Sequence, residues 1–277
     1  MLFNLIVLLS ALFAAGVCFV AGGFSSLGWL WLLPIGFVGG FALCLFGCFL
    51  AVWIPSLFVD PEKPQEEDDP YTRTIVKLYA PAVFKLLGCK IETSGTEKLP
   101  KDGRFLLVCN HTSTLDPGIP LAVFPNAQLA FISKKENLEL PVIGPMMLKI
   151  QCQLLDREND RAALKTILRC ISILKEDKAS IGVFPEGGII KDGKLLHHFR
   201  PGVFKIAQKA NVPIVVCTLQ GTKAILSNFK RLRRSTVQFH LLEVIPAEEL
   251  KGVNTAQIAD RVHAIMAADL GAENVAS

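Results

Sequence analysis

No aspartate, glutamate, lysine, arginine or histidine occurs before Asp60. Residues 1–59 therefore offer no charged surface to water, which excludes an ordinary soluble domain for that stretch. The eight cysteines, at 18, 44, 48, 89, 109, 152, 170 and 217, form no C-x2-C pair. Zinc-ligand spacing is thus missing, and thiols set in apolar runs point to buried free cysteines in a reducing compartment. No G-x-S-x-G exists, so a hydrolase nucleophile elbow is excluded, and no cysteine stands beside a candidate base. The net charge of +4 is mild and carries no finger, RNP or helix-turn-helix signal, so a nucleic-acid partner is not expected. What remains is a chain 51% hydrophobic, with a mean hydropathy of +0.42. That balance predicts a membrane part joined to one ordinary domain.

The apolar part divides into two spans, about 2–21 and 29–54, around a Gly22–Ser26 turn. Trp31 and Trp53 are separated by about 22 residues, or roughly 33 Å of helix, close to the thickness of a bilayer core. Tryptophan at both ends is the interfacial belt pattern. Gly36 with Gly40, and Ala11 with Ala15, are small-x3-small pairs that let two helices approach. A signal peptide is the competing reading, but no basic residue precedes the apolar run. A transmembrane helical hairpin (1–59) is the expectation. Residues 60–70, acidic and proline-rich, read as an exposed linker.

Residues 71–277 alternate strand and helix patterns. Strands are predicted at 90–94, 105–109, 129–133, 150–155, 180–184, 213–217 and 236–244. Helices are predicted at 71–87 with a break at Pro81, from the His111 turn to about 124, and at 136–149 broken at Pro141. Further helices are predicted at 160–175, 203–210 and 255–270. The 160–175 helix has an apolar face at Leu164, Ile167, Leu168, Ile171 and Leu174. The 71–87 helix either lies on a membrane surface or is packed on the sheet. Alternating elements imply an α/β domain with a mainly parallel central sheet and helices on both faces.

The organising stretch is Phe105-Leu-Leu-Val-Cys-Asn-His-Thr-Ser-Thr-Leu-Asp-Pro117, within core motifs spanning 105–222. A buried strand ends at Asn110–His111, and Asp116–Pro117 suits a helix start with Asp116 near the N-cap. In open α/β sheets ligands bind at the carboxyl ends of strands. Across such a turn Asp116 can reach His111 Nδ1, fix its tautomer and leave Nε2 to take a proton. With no nucleophile on the protein, the pair would activate a hydroxyl of the substrate. The plain alternative is a helix cap and a satisfied turn histidine.

Three later stretches weigh against that alternative: Leu155-Asp-Arg157, Phe184-Pro-Glu-Gly187 and Val212-Pro-Ile-Val215. Lys134-Lys-Glu136 with Leu140-Pro-Val-Ile-Gly144, and His198-Phe-Arg-Pro-Gly202, extend the pattern. In this order they resemble the 1-acyl-sn-glycerol-3-phosphate acyltransferases of the glycerolipid acyltransferase superfamily, over roughly residues 71–250. The resemblance implies His111 as base and Asp116 as its orienting partner, with no acyl-enzyme. It implies Arg157 as a phosphate ligand, Glu186 and Gly187 at the glycerol part of the acceptor, and Gly188, Lys134 and Arg200 as further binding residues. It implies an acyl donor on acyl carrier protein or coenzyme A, a lysophospholipid acceptor, membrane lipids as surroundings, and no cofactor or metal. It also places the catalytic domain in the cytoplasm of an integral membrane protein. One departure stands out: the family's Gly-Thr-Arg-Ser is Gly187-Gly-Ile-Ile190 here, so Ile189 replaces an arginine. Lys191, Lys194, Arg200 or a backbone nest at Gly187–Gly188 are the candidate replacements. The basic run Lys230, Arg231, Arg233 and Arg234 reads as either a lipid contact or a solvated loop between strands.

Overall fold

The computed structural model describes residues 1–276 except 62, 64 and 157–159. It divides into two compact units, Met1–Asp60 and Pro61–Ser277.

The first unit holds α1 (Leu2–Val20) and α2 (Trp29–Ser56), both long and apolar enough to cross a membrane. They run antiparallel: a Cβ on Gly36 would lie 2.9 Å from Ala14 Cα, and one on Gly40 would lie 3.1 Å from Ser10 Cα. The glycines therefore set the approach of the two helices, as expected. Their counterparts are Ser10 and Ala14, not Ala11 and Ala15, which are exposed. One residue of offset turns a helix stripe by about 100°, enough to move it off the contact.

The second unit is built on a seven-stranded sheet: β1 (Cys89–Ser94), β2 (Leu106–Val108), β3 (Leu129–Lys134), β4 (Gln153–Leu155), β5 (Ser180–Val183), β6 (Ile214–Gln220) and β7 (Ser235–Ile245). The order is β1-β7-β6-β2-β5-β3-β4. Strands β6, β2, β5, β3 and β4 are mutually parallel, while β7 joins β6 antiparallel and carries β1 with it. Every residue of β2 and β5 is buried. Since successive side chains point to opposite faces, both faces at the centre are covered, which is why these strands read as unbroken apolar runs.

Around the sheet stand α3 (Pro70–Leu86), α4 (Gly118–Val123), α5 (Ile143–Lys149), α6 (Asp160–Lys175), α7 (Lys205–Ala210), α8 (Ile225–Lys230) and α9 (Thr255–Leu270). Helix α3 passes through Pro81 without ending. It is held to the sheet by buried Arg73, which donates to the carbonyls of Leu129 and Ile150 and pairs with Asp68. Of the two readings of this helix, packing on the domain is the one observed. The acidic segment before it is no free spacer. The carbonyls of Gln65, Glu66 and Glu67 accept from Arg169, Gln151 and Lys178. Helix α6 turns differently from its expected face: Thr166, Cys170, Ile173 and Leu174 are buried while Leu164 and Leu168 are exposed. Small side chains at 166 and 170 let that side approach the core, so the two leucines are left outside. The run 150–155 is strand only over 153–155; of the basic run, Lys230 ends helix α8, and Arg231, Arg233 and Arg234 lie in the loop before β7.

Candidate active site

The parallel strands β2, β5 and β6 end side by side, and each feeds a turn into one small region. The turn after β2 is fixed first by Asn110, fully buried. Its amide donates to the carbonyls of Leu195 and Leu219 at 3.0 and 2.9 Å, and its oxygen accepts the Leu219 N–H at 2.7 Å. An asparagine closing an apolar strand thus ties β2 to the end of β6, and His111 follows in a set direction.

Asp116 lies under this turn, entirely buried. Its Oδ2 meets His111 Nδ1 at 3.0 Å and accepts the N–H groups of Thr112 at 2.6 Å and Ser113 at 2.7 Å. Its Oδ1 accepts the Thr222 hydroxyl at 2.5 Å. The carboxylate therefore folds back over its own loop. It does not cap α4, whose N-cap is Pro117. Of the two readings, the helix-cap alternative is not the one observed: the backbone donors that hold the carboxylate lie upstream, in the loop that carries His111. Buried charge is tolerable only when hydrogen-bonded, and here four donors satisfy it.

The imidazole of His111 stacks on Phe184, with ring centroids 4.2 Å apart and planes 20° apart. Phe184 in turn stacks on Phe131 at 5.7 Å. The ring is thus gripped at Nδ1 and along one face, and Nε2 is the nitrogen not taken by the carboxylate.

Glu186, from the turn after β5, is 7% exposed. Its Oε2 accepts the His111 N–H at 3.1 Å and its Oε1 the His197 N–H at 3.3 Å. Burial pushes its carboxyl up to about 8, with the two N–H bonds opposing that shift. Both oxygens are occupied by backbone, so the side chain acts on the turn that carries the base. Gly187 has φ +79°, and a Cβ there would sit 2.7 Å from Arg200 Nε. Only glycine admits that backbone and that approach together. Arg200, an exposed residue, lies with its side chain across the place where Gly187 has none. The Gly187 N–H closes on the Phe184 carbonyl at 3.0 Å, so an anion nest at Gly187–Gly188 loses that donor.

His111, Asp116, Glu186, Gly187 and Arg200 are brought together. Gly188 follows in the same turn, and exposed Lys134 ends β3, the strand beside β5. Arg157 lies outside the described residues. Sequence reasoning gave no role to Asn110, Phe184, His197 or Thr222. Asn110 was within the motif, but Thr222 carries no local signal beyond following a strand. The cysteines near the site are not nucleophiles: burial raises Cys109 well above the ordinary thiol range and takes Cys152 to about 11. Among the described residues, no cluster of three or more His, Cys, Asp or Glu is arranged to hold a metal.

Residues 90–220, which contain every one of these turns except that of Thr222, match the sequence model of the family described as Acyltransferase. That stretch is similar to acyltransferase-family domains. Curated relatives of this domain include the chloroplastic 1-acyl-sn-glycerol-3-phosphate acyltransferase LPAT1 of Arabidopsis thaliana, 36% identical over 164 residues, 57% of this chain and 44% of that one. The 1-acyl-sn-glycerol-3-phosphate acyltransferase of Saccharomyces cerevisiae is 28% identical, covering 65% of this chain and 60% of its own. A probable enzyme of that name from Mycoplasma pneumoniae is 31% identical, over 62% and 65%. The chain thus spans 44–65% of the length of these three relatives. In fold the chain is similar to the crystal structure of the 1-acyl-sn-glycerophosphate acyltransferase of Thermotoga maritima. The TM-score is 0.60 at 19% identity, over 97% of this chain and 96% of that one.

Proposed function

We propose that this chain is a membrane-bound O-acyltransferase that moves a fatty acyl group onto the free hydroxyl of 1-acylglycerol 3-phosphate, giving phosphatidic acid. The observation that carries the reading is the His111–Asp116 pair, a fully buried carboxylate on Nδ1 with Nε2 left open. Nε2 takes the acceptor's hydroxyl proton as that oxygen bonds to the acyl carbonyl carbon. The bond to the donor's sulfur or phosphate oxygen then breaks, and the imidazolium returns the proton to the leaving group. Asp116 holds the imidazole at Nδ1, and its three other donors fix the carboxylate in place. No protein–acyl bond forms. The donor is an acyl thioester of carrier protein or coenzyme A, or an acyl phosphate, and no cofactor takes part.

The two apolar helices support membrane anchoring, with the acyltransferase domain on the cytoplasmic side where acyl donors are made. For the acceptor's phosphate, Arg200 on Gly187 is the replacement for the arginine lost at 189, with Lys134 and Arg157 as further ligands. Removing a charge-assisted contact of that kind weakens binding by roughly 10- to 100-fold, so Arg200→Ala is expected to raise KM for a phosphorylated acceptor. A second reading is favoured by Ile189 alone: the same chemistry on an unphosphorylated lysolipid.

The test is acyl transfer by the purified chain, with 1-acylglycerol 3-phosphate and its dephosphorylated counterpart offered side by side and His111→Ala as control. Product from the phosphorylated acceptor alone supports the main reading. Product from the other alone supports the second. Silence with both acceptors and every donor, with lipid still bound, would overturn acyl transfer.

A further inference from the structure

Between Gly221 and Leu242 the chain has no acidic residue, yet it holds Lys230, Arg231, Arg233 and Arg234 in sequence with exposed apolar side chains. All four cations are exposed, and no carboxylate pairs with them among the described residues. By contrast, three arginines elsewhere, Arg73, Arg104 and Arg261, each meet a carboxylate. The apolar groups are equally unpartnered. Leu226 and Phe229 project from one side of α8, three residues apart and half-exposed, and Leu232 is 94% exposed.

The tip is a built turn. The Asn228 carbonyl accepts both the Arg231 and Arg233 N–H groups, and the Leu232 N–H reaches the Phe229 carbonyl at 3.0 Å. The Asn228 amide bonds Ser235 at 3.1 Å, closing the base against β7. Leu232 itself sits at φ +53°, a left-handed conformation that glycine or asparagine enters with far less strain. A hydrogen-bonded turn thus leaves a bulky apolar side chain exposed, flanked in sequence by four exposed cations.

We propose that this tip, residues 226–234, docks on an anionic bilayer surface, with Leu232 and Phe229 entering the interfacial layer and the four cations facing lipid phosphates. Apolar side chains suit the interface, and clustered Lys/Arg suits anionic head groups. The tip begins four residues after Thr222, whose hydroxyl holds Asp116, so docking it brings the candidate base close to the lipid surface. This goes beyond the acyl-transfer reading but rests on the helices being membrane spans. Incorporation of the chain into bilayer discs tests that part separately.

The experiment uses the full chain in discs of phosphatidylcholine alone or mixed with phosphatidylglycerol. Leu232→Cys is labelled with a polarity-sensitive fluorophore, and the wild-type chain, labelled in parallel, gives the background of its native cysteines. The expected result is a blue shift and quenching by lipid-borne quenchers in the anionic discs only. Both signals are lost near 1 M salt, where the screening length is about 3 Å, and in the variant with all four cations changed to Gln. The salt titration needs no further variant, so poor folding of that one leaves the test intact. An unshifted label in anionic discs, or equal burial in neutral ones, overturns the proposal. So does burial that arises only on adding an acidic carrier protein.

Discussion

Two of the domain's three histidine–aspartate pairs among the described residues have nearly equal geometry and spacing. His111 Nδ1 meets Asp116 at 3.0 Å, and His197 Nε2 meets Asp192 at 3.0 Å, each across five residues. Their exposures are reversed. In the first the histidine side chain is 17% exposed and the aspartate 0%. In the second the histidine is 6% exposed and the aspartate 44%. The first pair therefore buries its charge and opens its base. The second does the opposite: Asp192 faces water, its carboxyl held below the usual range by the Lys194 N–H and by His197, while His197 Nδ1 is buried with no partner among the described residues. A buried nitrogen out of reach of substrate has no proton to take. What separates a candidate base from a latch is which end of the pair is accessible.

The largest expected effect breaks that symmetry outright. On the proposed function, His111→Ala lowers the rate of acyl transfer by about 10²–10⁴-fold, the usual worth of a positioned base, while lysolipid binding is retained. His197→Gln, compared on folded protein, stays within about tenfold of wild type and shows its loss as a lower Tm. Comparable kinetic losses in both variants would erase the distinction drawn above. Asp116→Asn follows, since an amide turned toward Nδ1 selects the wrong tautomer and costs about 10²–10⁴ in rate. Asp192→Asn, at an exposed pair, changes rate by no more than about twofold.

Much of this was readable in the chain. The apolar run 105–109 carried its strand because a central parallel strand is buried on both sides, and helices 160–175 and 255–270 fall on their predicted bounds. The His111–Asp116 contact followed from a strand-to-turn reading. The pair's supports did not. Thr222 stands 106 residues from Asp116 and meets it only because β6 lies beside β2. Asn110 similarly spends its amide on Leu195 and Leu219, positions that only the sheet order brings near. The stripe on α1 and the face of α6 were each misjudged because periodicity gives a helix its apolar arc, and close packing chooses where within that arc the neighbour sits. Asp116 lies next to the N-cap, as Asp-Pro suits, but its carboxylate turns to the loop's own N–H groups and to His111.

A smaller effect sharpens the comparison at Thr222, which only the first pair possesses. Thr222→Val leaves Asp116 Oδ1 short of one donor in a buried place, a loss of about 1–3 kcal/mol. The rate should fall about tenfold with KM unchanged. Thr222→Ser, which keeps the hydroxyl, should restore the rate. A valine variant with wild-type kinetics would mean that the backbone donors alone fix Asp116.

Glu186 joins the two pairs, one oxygen on the His111 N–H and the other on the His197 N–H, and its substitution has the subtlest signature. Burial raises its carboxyl from 4.5 to about 8. Between those values the unfolded chain has released the proton and the folded one still holds it. The folded state's advantage is therefore complete below about 4.5 and declines as pH rises toward about 8. Glu186→Gln removes the titration, so the fall in Tm across that window should flatten relative to wild type. An amide has one accepting oxygen, so only one of the two N–H bonds survives, and catalysis should drop modestly, mainly in kcat. A rise in KM for the acceptor with the Tm profile unchanged would instead make Glu186 a ligand of the glycerol hydroxyl and release the two histidine turns from their common support.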